Sequence, residues 1–276
     1  MSARCFADCA ERVRRHDPDR YFSSLFGRPE SRHFLHALYA FNHELARVAE
    51  SVAEPALGEI RLAWWRDSLE QARQGRTSRH EVLEAMAAVF ASCALPAEIF
   101  SQMFEARMLD LQPRPFADYA GLEAYLDATS GNLMRLAARI LDKDAKSEPL
   151  AERAGIAFGL AGIARSIPFH ARRGKSFIPA SVLEAHHITP ETMLDSRHRP
   201  ILVAIMRELL SRAESRLVSA RRERPDTRSF AAFLPAALVP LYAKASRARD
   251  FDACNPALAP HRRLLKLLSA AARQRI

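Results

Sequence analysis

Residues 31–53 carry apolar side chains on two sides of one helix, and few folds accommodate such a segment. Phe34, Leu38, Phe41, Leu45, Val48 and Val52 alternate steps of four and three residues, forming one continuous stripe. A second stripe runs through Leu35, Tyr39, Asn42 and Ala46 to Glu50. A helix that is apolar on more than one side sits inside a bundle, with one face on the core and another on a cavity. The rest of the chain agrees with that requirement. Helical spacing predicts further helices at 58–75, 80–92, 96–111, 118–141, 150–167, 181–186, 190–195, 199–222, 229–247 and 258–274. Strand signals are nearly absent, and Pro29, Pro55, Pro113, Pro115, Pro179, Pro200, Pro225 and Pro256 punctuate the helices. The polar links at 145–150 and 223–228 are too short to separate domains. The chain therefore reads as all-α, a single domain over 1–276, with 1–18 as a mobile N-terminal extension.

The stretch GIAFGLAGIARSIPFH, residues 155–170, concentrates three of the chain's nine glycines on one helical face. Gly155, Gly159 and Gly162 lead into Ser166 and His170 at the same spacing. Each helical glycine costs roughly 1 kcal/mol relative to alanine, so a compensating gain is expected. Either a second helix approaches this bare face closely, or the face keeps a cavity wall clear.

With 276 residues, 49% of them hydrophobic, the chain can bury a sizeable core. No apolar run approaches the ~18 residues of a membrane span. The opening MSARCFADCAERVRRHDPDR lacks the apolar segment of a signal peptide. Cys5, Cys9, Cys93 and Cys254 form no disulfide framework and point to a reducing cytoplasm. Cys5 and Cys9 can share a helix face as structural thiols. The formal charge of +9 is spread along the chain, with clusters at Arg172-Arg173-Lys175, Arg221-Arg222-Arg224 and Arg262-Arg263. No nucleic-acid motif accompanies it, which leaves a solvated basic surface or an anionic membrane surface. The expected location is the cytoplasm, peripheral to the inner face of the membrane. Of the adjacent Trp64 and Trp65, one is expected in the core and the other free for a membrane interface or a partner. The apolar segment 229–246 is broken by Pro235 and Pro240 and reads as a core helix.

Phosphate loops, dinucleotide-binding glycines, HExxH and paired CxxC motifs are all missing, and the histidines show no ligand spacing. What remains is a collinear set of stretches. They are HALYAFNHEL, GEIRLAWWRDSLEQARQG, FEARMLDL, LEAYLDATSGNLMRLAARIL, GIAFGLAGIARSIPFHARRGKSFIP and RARDFDACNPAL. In this order, from Tyr21 to about Leu268, they resemble the squalene/phytoene synthase family of head-to-head prenyl transferases. The resemblance implies an isoprenoid-synthase-type helical bundle around a central apolar cavity, lined by the glycine-bearing helix.

In that family two aspartate-rich motifs hold Mg²⁺ across the cavity mouth, because hard carboxylate oxygens suit that ion. The positions that match are Ala46 and Glu50 in the first motif, and Ser166 and His170 in the second. Gly162 stands where an asparagine is expected, and Pro168 is expected to break the helix within the second motif. The resemblance implies no metal site and assigns ligand binding to Tyr39, Asn42, Glu50, Asp110, Gly155, Gly159, Gly162 and Arg165. Arg165, with Arg47, Arg172, Arg173 and Lys175 near the mouth, could hold a diphosphate without metal. Asn42, Glu44, Leu45, Arg165, Pro168, Phe169 and His170 are similar to a divergent branch that includes a mitochondrial complex I assembly factor. That branch implies a non-catalytic accessory protein with respiratory-chain partners and an isoprenoid or lipid in its cavity. The alternative is an active head-to-head prenyl transferase drawing on Glu50, Glu54, Asp110 and the arginines, and only that reading requires Mg²⁺. A third is a peripheral carrier of isoprenoid.

Overall fold

The start of the chain departs from the expected mobile extension. In the computed structural model, which describes residues 3–76, 79–114, 116–189, 191–247 and 258–276, helix α1 (Ala3–His16) belongs to the core. It buries Cys5, Cys9 and Val13 and packs on the central helix of the bundle. The thiols thus share a buried face, and burial pushes Cys9 up to about 12, which keeps it protonated. A short helix α2 (Pro18–Ser24) follows. It is capped by the Asp17 carboxylate, which accepts from the Arg20 backbone N–H at 3.2 Å, and it has proline in its first turn.

Helix α3 (Pro29–Arg47) is that central helix. Leu38, Phe41 and Leu45 of the first stripe and Leu35 and Tyr39 of the second are buried on it, while the second stripe reaches a cavity at Asn42 and solvent at Glu50. The remaining helices are α4 (Pro55–Arg73), α5 (Glu81–Ser92), α6 (Ala97–Leu109), α7 (Tyr119–Leu126), α8 (Asn132–Leu141), α9 (Glu148–Ala171), α10 (Ala180–Ala185), α11 (Arg199–Ala220), α12 (Val239–Arg247) and α13 (Pro260–Ala272). Helix α5 packs on α1, α3 and α4, and α9 lies along α11. No strand occurs among the described residues, and no helix among them is long and apolar enough to cross a membrane. Trp65 is buried edge-on to Phe41, whereas Trp64 is 46% exposed, dividing the pair as their helical offset requires.

Several predicted helices are interrupted. The segment 118–141 contains a π turn, Asp127–Gly131, between α7 and α8. The described part of 190–195 is turn, leading to a 3-10 turn at Ser196–His198. The segment 229–247 starts as two 3-10 turns, Phe230–Ala232 and Leu234–Leu238, and becomes α-helical only at Val239. In the opposite direction, α9 runs through Pro168 to Ala171, although proline removes a backbone donor there. Pro168 is itself buried, and this packing holds the helix together across the missing hydrogen bond. Cys254 and most of the RARDFDACNPAL stretch lie outside the described residues.

Candidate functional site

The bare face of α9 divides between two environments. A Cβ on Gly155 would stand 2.4 Å from the Gly131 Cα, so two backbones touch there. A Cβ on Gly159 would meet the Leu126 side chain at 2.6 Å. A Cβ on Gly162 would meet nothing within 4 Å. Gly155 is therefore a helix contact and not a cavity wall, which corrects the expectation for that residue. Gly159 and Gly162 do border a cavity of about 500 Å³, within the range of small-molecule sites.

The opposite wall comes from the π turn, whose extra residue re-aims the side chains around it. Thr129 and Ser130 face the cavity. Thr129 Oγ1 donates back to the Tyr125 carbonyl at 2.8 Å, while the buried Ser130 Oγ has no partner. Tyr125 links this wall to α6. Its hydroxyl donates to Asp110 Oδ1 at 2.7 Å and accepts from Arg107 Nη1 at 2.9 Å, and Arg107 also reaches Asp110 Oδ2 at 3.0 Å. Burial opposes the Arg107 charge, but Tyr125 and Asp110 outweigh it and hold its pKa above the usual value. Asn42 Oδ1 accepts from Arg107 Nη2 at 3.4 Å, and the buried Arg107 Nε remains unpartnered.

The junction of α1 and α2 and the end of the chain close the remaining side. Arg20 pairs with Asp17 at 2.7 Å and lies over the Phe158 ring. Asp19 accepts from Arg263 Nε at 2.6 Å and from the Tyr242 hydroxyl. Burial pushes Tyr242 up to about 12, against the nearby Arg165 charge and with the Asp19 charge assisting. Arg165 stacks its guanidinium 3.6 Å from the centre of the Tyr242 ring, and its buried Nε has no partner. No ion pair among the described residues involves Arg165. Arg20, Arg107, Arg165 and Arg263 line the cavity with Asp17 and Asp19, and of these four arginines Arg165 alone is without an ion pair among the described residues. The wall is far more polar than a cavity for prenyl chains alone would require.

Of the residues predicted for ligand binding, Asn42, Gly159, Gly162 and Arg165 line this cavity. Tyr39 is buried beneath it, with the Arg20 guanidinium 5.9 Å from its ring centre, and Asp110 is buried behind Arg107. None of the acid-motif positions lines it. Helix α3 ends at Arg47, so Glu50 projects to solvent from the 3-10 turn Val48–Glu50 instead of standing one helical turn above Ala46. Ser166 Oγ donates to its own helix at the Ile163 carbonyl, 3.1 Å away. The His170 ring packs on Phe177, and burial, with Arg173 and Lys175 adding to it, lowers its pKa to about 4.

A cation stands between those two motif ends. Lys175 Nζ donates to the Asp110 carbonyl at 3.0 Å and to the Ala49 carbonyl at 3.3 Å, while its backbone N–H donates to the His170 carbonyl. The following strap is sewn down by hydrogen bonds from Ser176, Ala180 and Ser181 to the Pro113, Phe116 and Ala117 carbonyls. Arg172 and Arg173 are exposed, and Arg173 lies over the Phe169 ring, away from the cavity. Sequence reasoning missed Arg20, Arg107, Arg263, Tyr242 and Ser130. The available signals were the charges flanking Pro18 in RHDPDR and the Arg107–Asp110 spacing in FEARMLDL.

An all-helical bundle closing on a cavity beside a glycine-bearing helix is the architecture of isoprenoid synthases. A dehydrosqualene synthase solved with ligand superposes with a TM-score of 0.80 at 16% identity, covering 98% of this chain and 96% of that one. A squalene synthase from Alicyclobacillus acidocaldarius gives 0.66 at 18% identity over 98% and 94% of the two chains. The family profile for squalene/phytoene synthase matches residues 13–268, and the chain belongs to that family. Among its relatives is complex I assembly factor 6 of Homo sapiens, 28% identical over 262 residues, 94% of this chain and 79% of that protein. Phytoene synthase of Thermus thermophilus is 27% identical over 205 residues, 74% of this chain and 69% of that enzyme.

Proposed function

We propose that this chain is an accessory protein for assembly of respiratory complex I, and that its cavity holds an isoprenoid or lipid with an anionic head without turning it over. The observation that carries the ligand is Arg165. Its guanidinium has no carboxylate partner among the described residues, its buried Nε is unpartnered, and beside it Gly162 leaves the wall open. Buried donors left without acceptors are costly, and a phosphate oxygen satisfies them together with Ser130. The assembly role is supported by the relatives that span nearly the whole chain.

The metal-dependent alternative fits the residues poorly. Mg²⁺ takes hard oxygen ligands in near-octahedral geometry. The motif positions supply an alanine, an exposed glutamate, a serine bonded to its own helix and a histidine packed on a ring. Lys175 places a positive charge between them. Arginines bind phosphate without a metal, so the proposed binding requires none. The same reading places the protein in the cytoplasm, peripheral to the inner face of the membrane.

Mass spectrometry of lipid extracted from natively purified protein tests the ligand, and incubation with farnesyl diphosphate with and without Mg²⁺ tests turnover. The expected result is a bound prenyl or lipid anion and unchanged diphosphate under both conditions. A head-to-head product that disappears in Glu50→Gln would establish the prenyl transferase instead, the reading that similarity to phytoene synthase supports. Deleting the gene in its host should reduce assembled complex I, and unchanged complex I levels overturn the accessory role.

A further inference from the structure

Helix α13 buries one face and leaves a second apolar face uncovered. Leu267 and Ala270 are buried, and Arg263 turns inward to Asp19. On the opposite side Leu264, Leu265 and Leu268 are 38%, 65% and 47% exposed. Their spacing puts them in one outward stripe, which Ala272 extends by one turn. Exposed leucines gathered on one helix mark a surface that something covers.

The charges around the stripe identify the chemistry of that cover. From Pro260 to Ile276 the chain has no Asp or Glu, and it carries His261, Arg262, Arg263, Lys266, Arg273 and Arg275. Arg262, Lys266, Arg273 and Arg275 take part in no ion pair among the described residues. The Arg221 side chain donates to the Ile276 carbonyl at 2.6 Å, bringing the basic end of α11 against them. Burial, then the nearby Arg221 and Arg273, lowers the Lys266 pKa, and burial with Arg275 lowers that of Arg221. These cations stand close enough to repel one another. A leucine stripe flanked by cations of one sign suits an anionic lipid surface, where the leucines enter the acyl boundary and the cations meet the headgroups. The other exposed apolar stripe, Leu57, Ile60 and Trp64 on α4, is interleaved with both Glu59 and Arg61 and carries no such preference.

We propose that the outward face of α13 lies in the interface of an anionic phospholipid bilayer. Leu264, Leu265 and Leu268 enter the acyl boundary, and Arg262, Lys266 and Arg273 stand at the phosphates. The long stems of these cations let their heads reach the headgroup level while the leucines insert. This inference deepens the peripheral-membrane part of the proposed function and rests on that part alone, independently of complex I.

Flotation of the full chain with phosphatidylcholine vesicles, with and without phosphatidylglycerol, tests the inference. Binding is expected only with phosphatidylglycerol, and it should weaken steeply as salt rises from ~0.05 to ~0.5 M. Leu265→Ser/Leu268→Ser should bind about tenfold or more weakly. Arg262→Gln/Lys266→Gln/Arg273→Gln should lose the phosphatidylglycerol dependence, and Leu57→Ser/Ile60→Ser should bind as the parent does. An environment-sensitive dye on Leu265→Cys should shift to the blue on anionic vesicles, a readout that does not depend on the serine variants folding. Vesicle binding lost in the α4 variant and kept in the α13 variants overturns the inference while leaving the peripheral reading standing. No binding to any vesicle overturns both. Self-association that the leucine variant abolishes, without vesicle binding, assigns the face to a second copy and overturns the inference.

Discussion

The two ends of the glycine stripe on α9 use the same residue at the same spacing for opposite purposes. At Gly155 the missing side chain admits another backbone, the π turn that carries Gly131. At Gly162, two turns along, the missing side chain admits nothing from the protein and leaves the cavity open beside Arg165. Gly159 lies between them and serves both, touching Leu126 and bordering the cavity. A stripe of small residues therefore reports only that a helix surface is bare. What stands opposite decides whether the vacancy becomes packing or ligand space.

The sharpest way to break this comparison is to put a methyl group at each end. Gly155→Ala forces its Cβ against the Gly131 backbone, which cannot rotate away, and should cost about 3 kcal/mol of stability in denaturant unfolding. A cost no greater than that at Gly162 would show that the two ends are alike. The C-terminal end of α9 should show itself through pH. His170 takes a proton near 6.5 when unfolded and resists to about 4 when folded, so the unfolded chain binds more protons between those values. Stability should therefore fall as pH drops through that window and level off below it. His36 and His43, lowered to about 4 mainly by burial, contribute with the same sign. His170→Gln should remove its own share, on the order of 3 kcal/mol between the plateaus, from the pH dependence of the unfolding midpoint.

At the open end, Arg165→Met should leave the unfolding midpoint nearly unchanged and weaken the binding of farnesyl diphosphate about tenfold, read by calorimetry without Mg²⁺. Undiminished affinity would mean that the anion sits elsewhere. The smallest effect belongs to Gly162→Ala, which should gain about 0.5 kcal/mol through helix propensity because its Cβ meets only space. A loss there would show that this part of the face is packed as well.

The helices themselves were largely legible, because amphipathic spacing survives in the chain whatever packs against it. The exceptions share a cause. The π turn at Asp127–Gly131, the 3-10 turns before α12 and the continuity of α9 through Pro168 all depend on contacts that offset a local preference. The site was half legible. Asn42, Gly159, Gly162 and Arg165 could be placed because they share helical faces with recognisable stretches. Glu50 could not, since that reading assumed α3 to extend past Arg47, and Tyr39, Asp110 and Gly155 lie behind the wall or in a helix contact. The arginine lining was hidden for a different reason. Asp19 and Arg263 are 244 residues apart, and Arg107 meets Asn42 across 65. No spacing rule spans such separations.

Periodicity, proline placement and the order of the motif stretches were enough to define an all-helical bundle of the squalene/phytoene synthase family and to show that its acidic motifs are replaced. Those properties are local, written residue by residue along each helix. Which glycine faces a backbone and which faces a cavity depends on elements brought together from distant parts of the chain, and so does the pairing of each arginine in the wall. Arg165 looks in the sequence like any other of the chain's many cations. It becomes a candidate anion site because Asp17, Asp19 and Asp110 are each occupied by another arginine when the helices close.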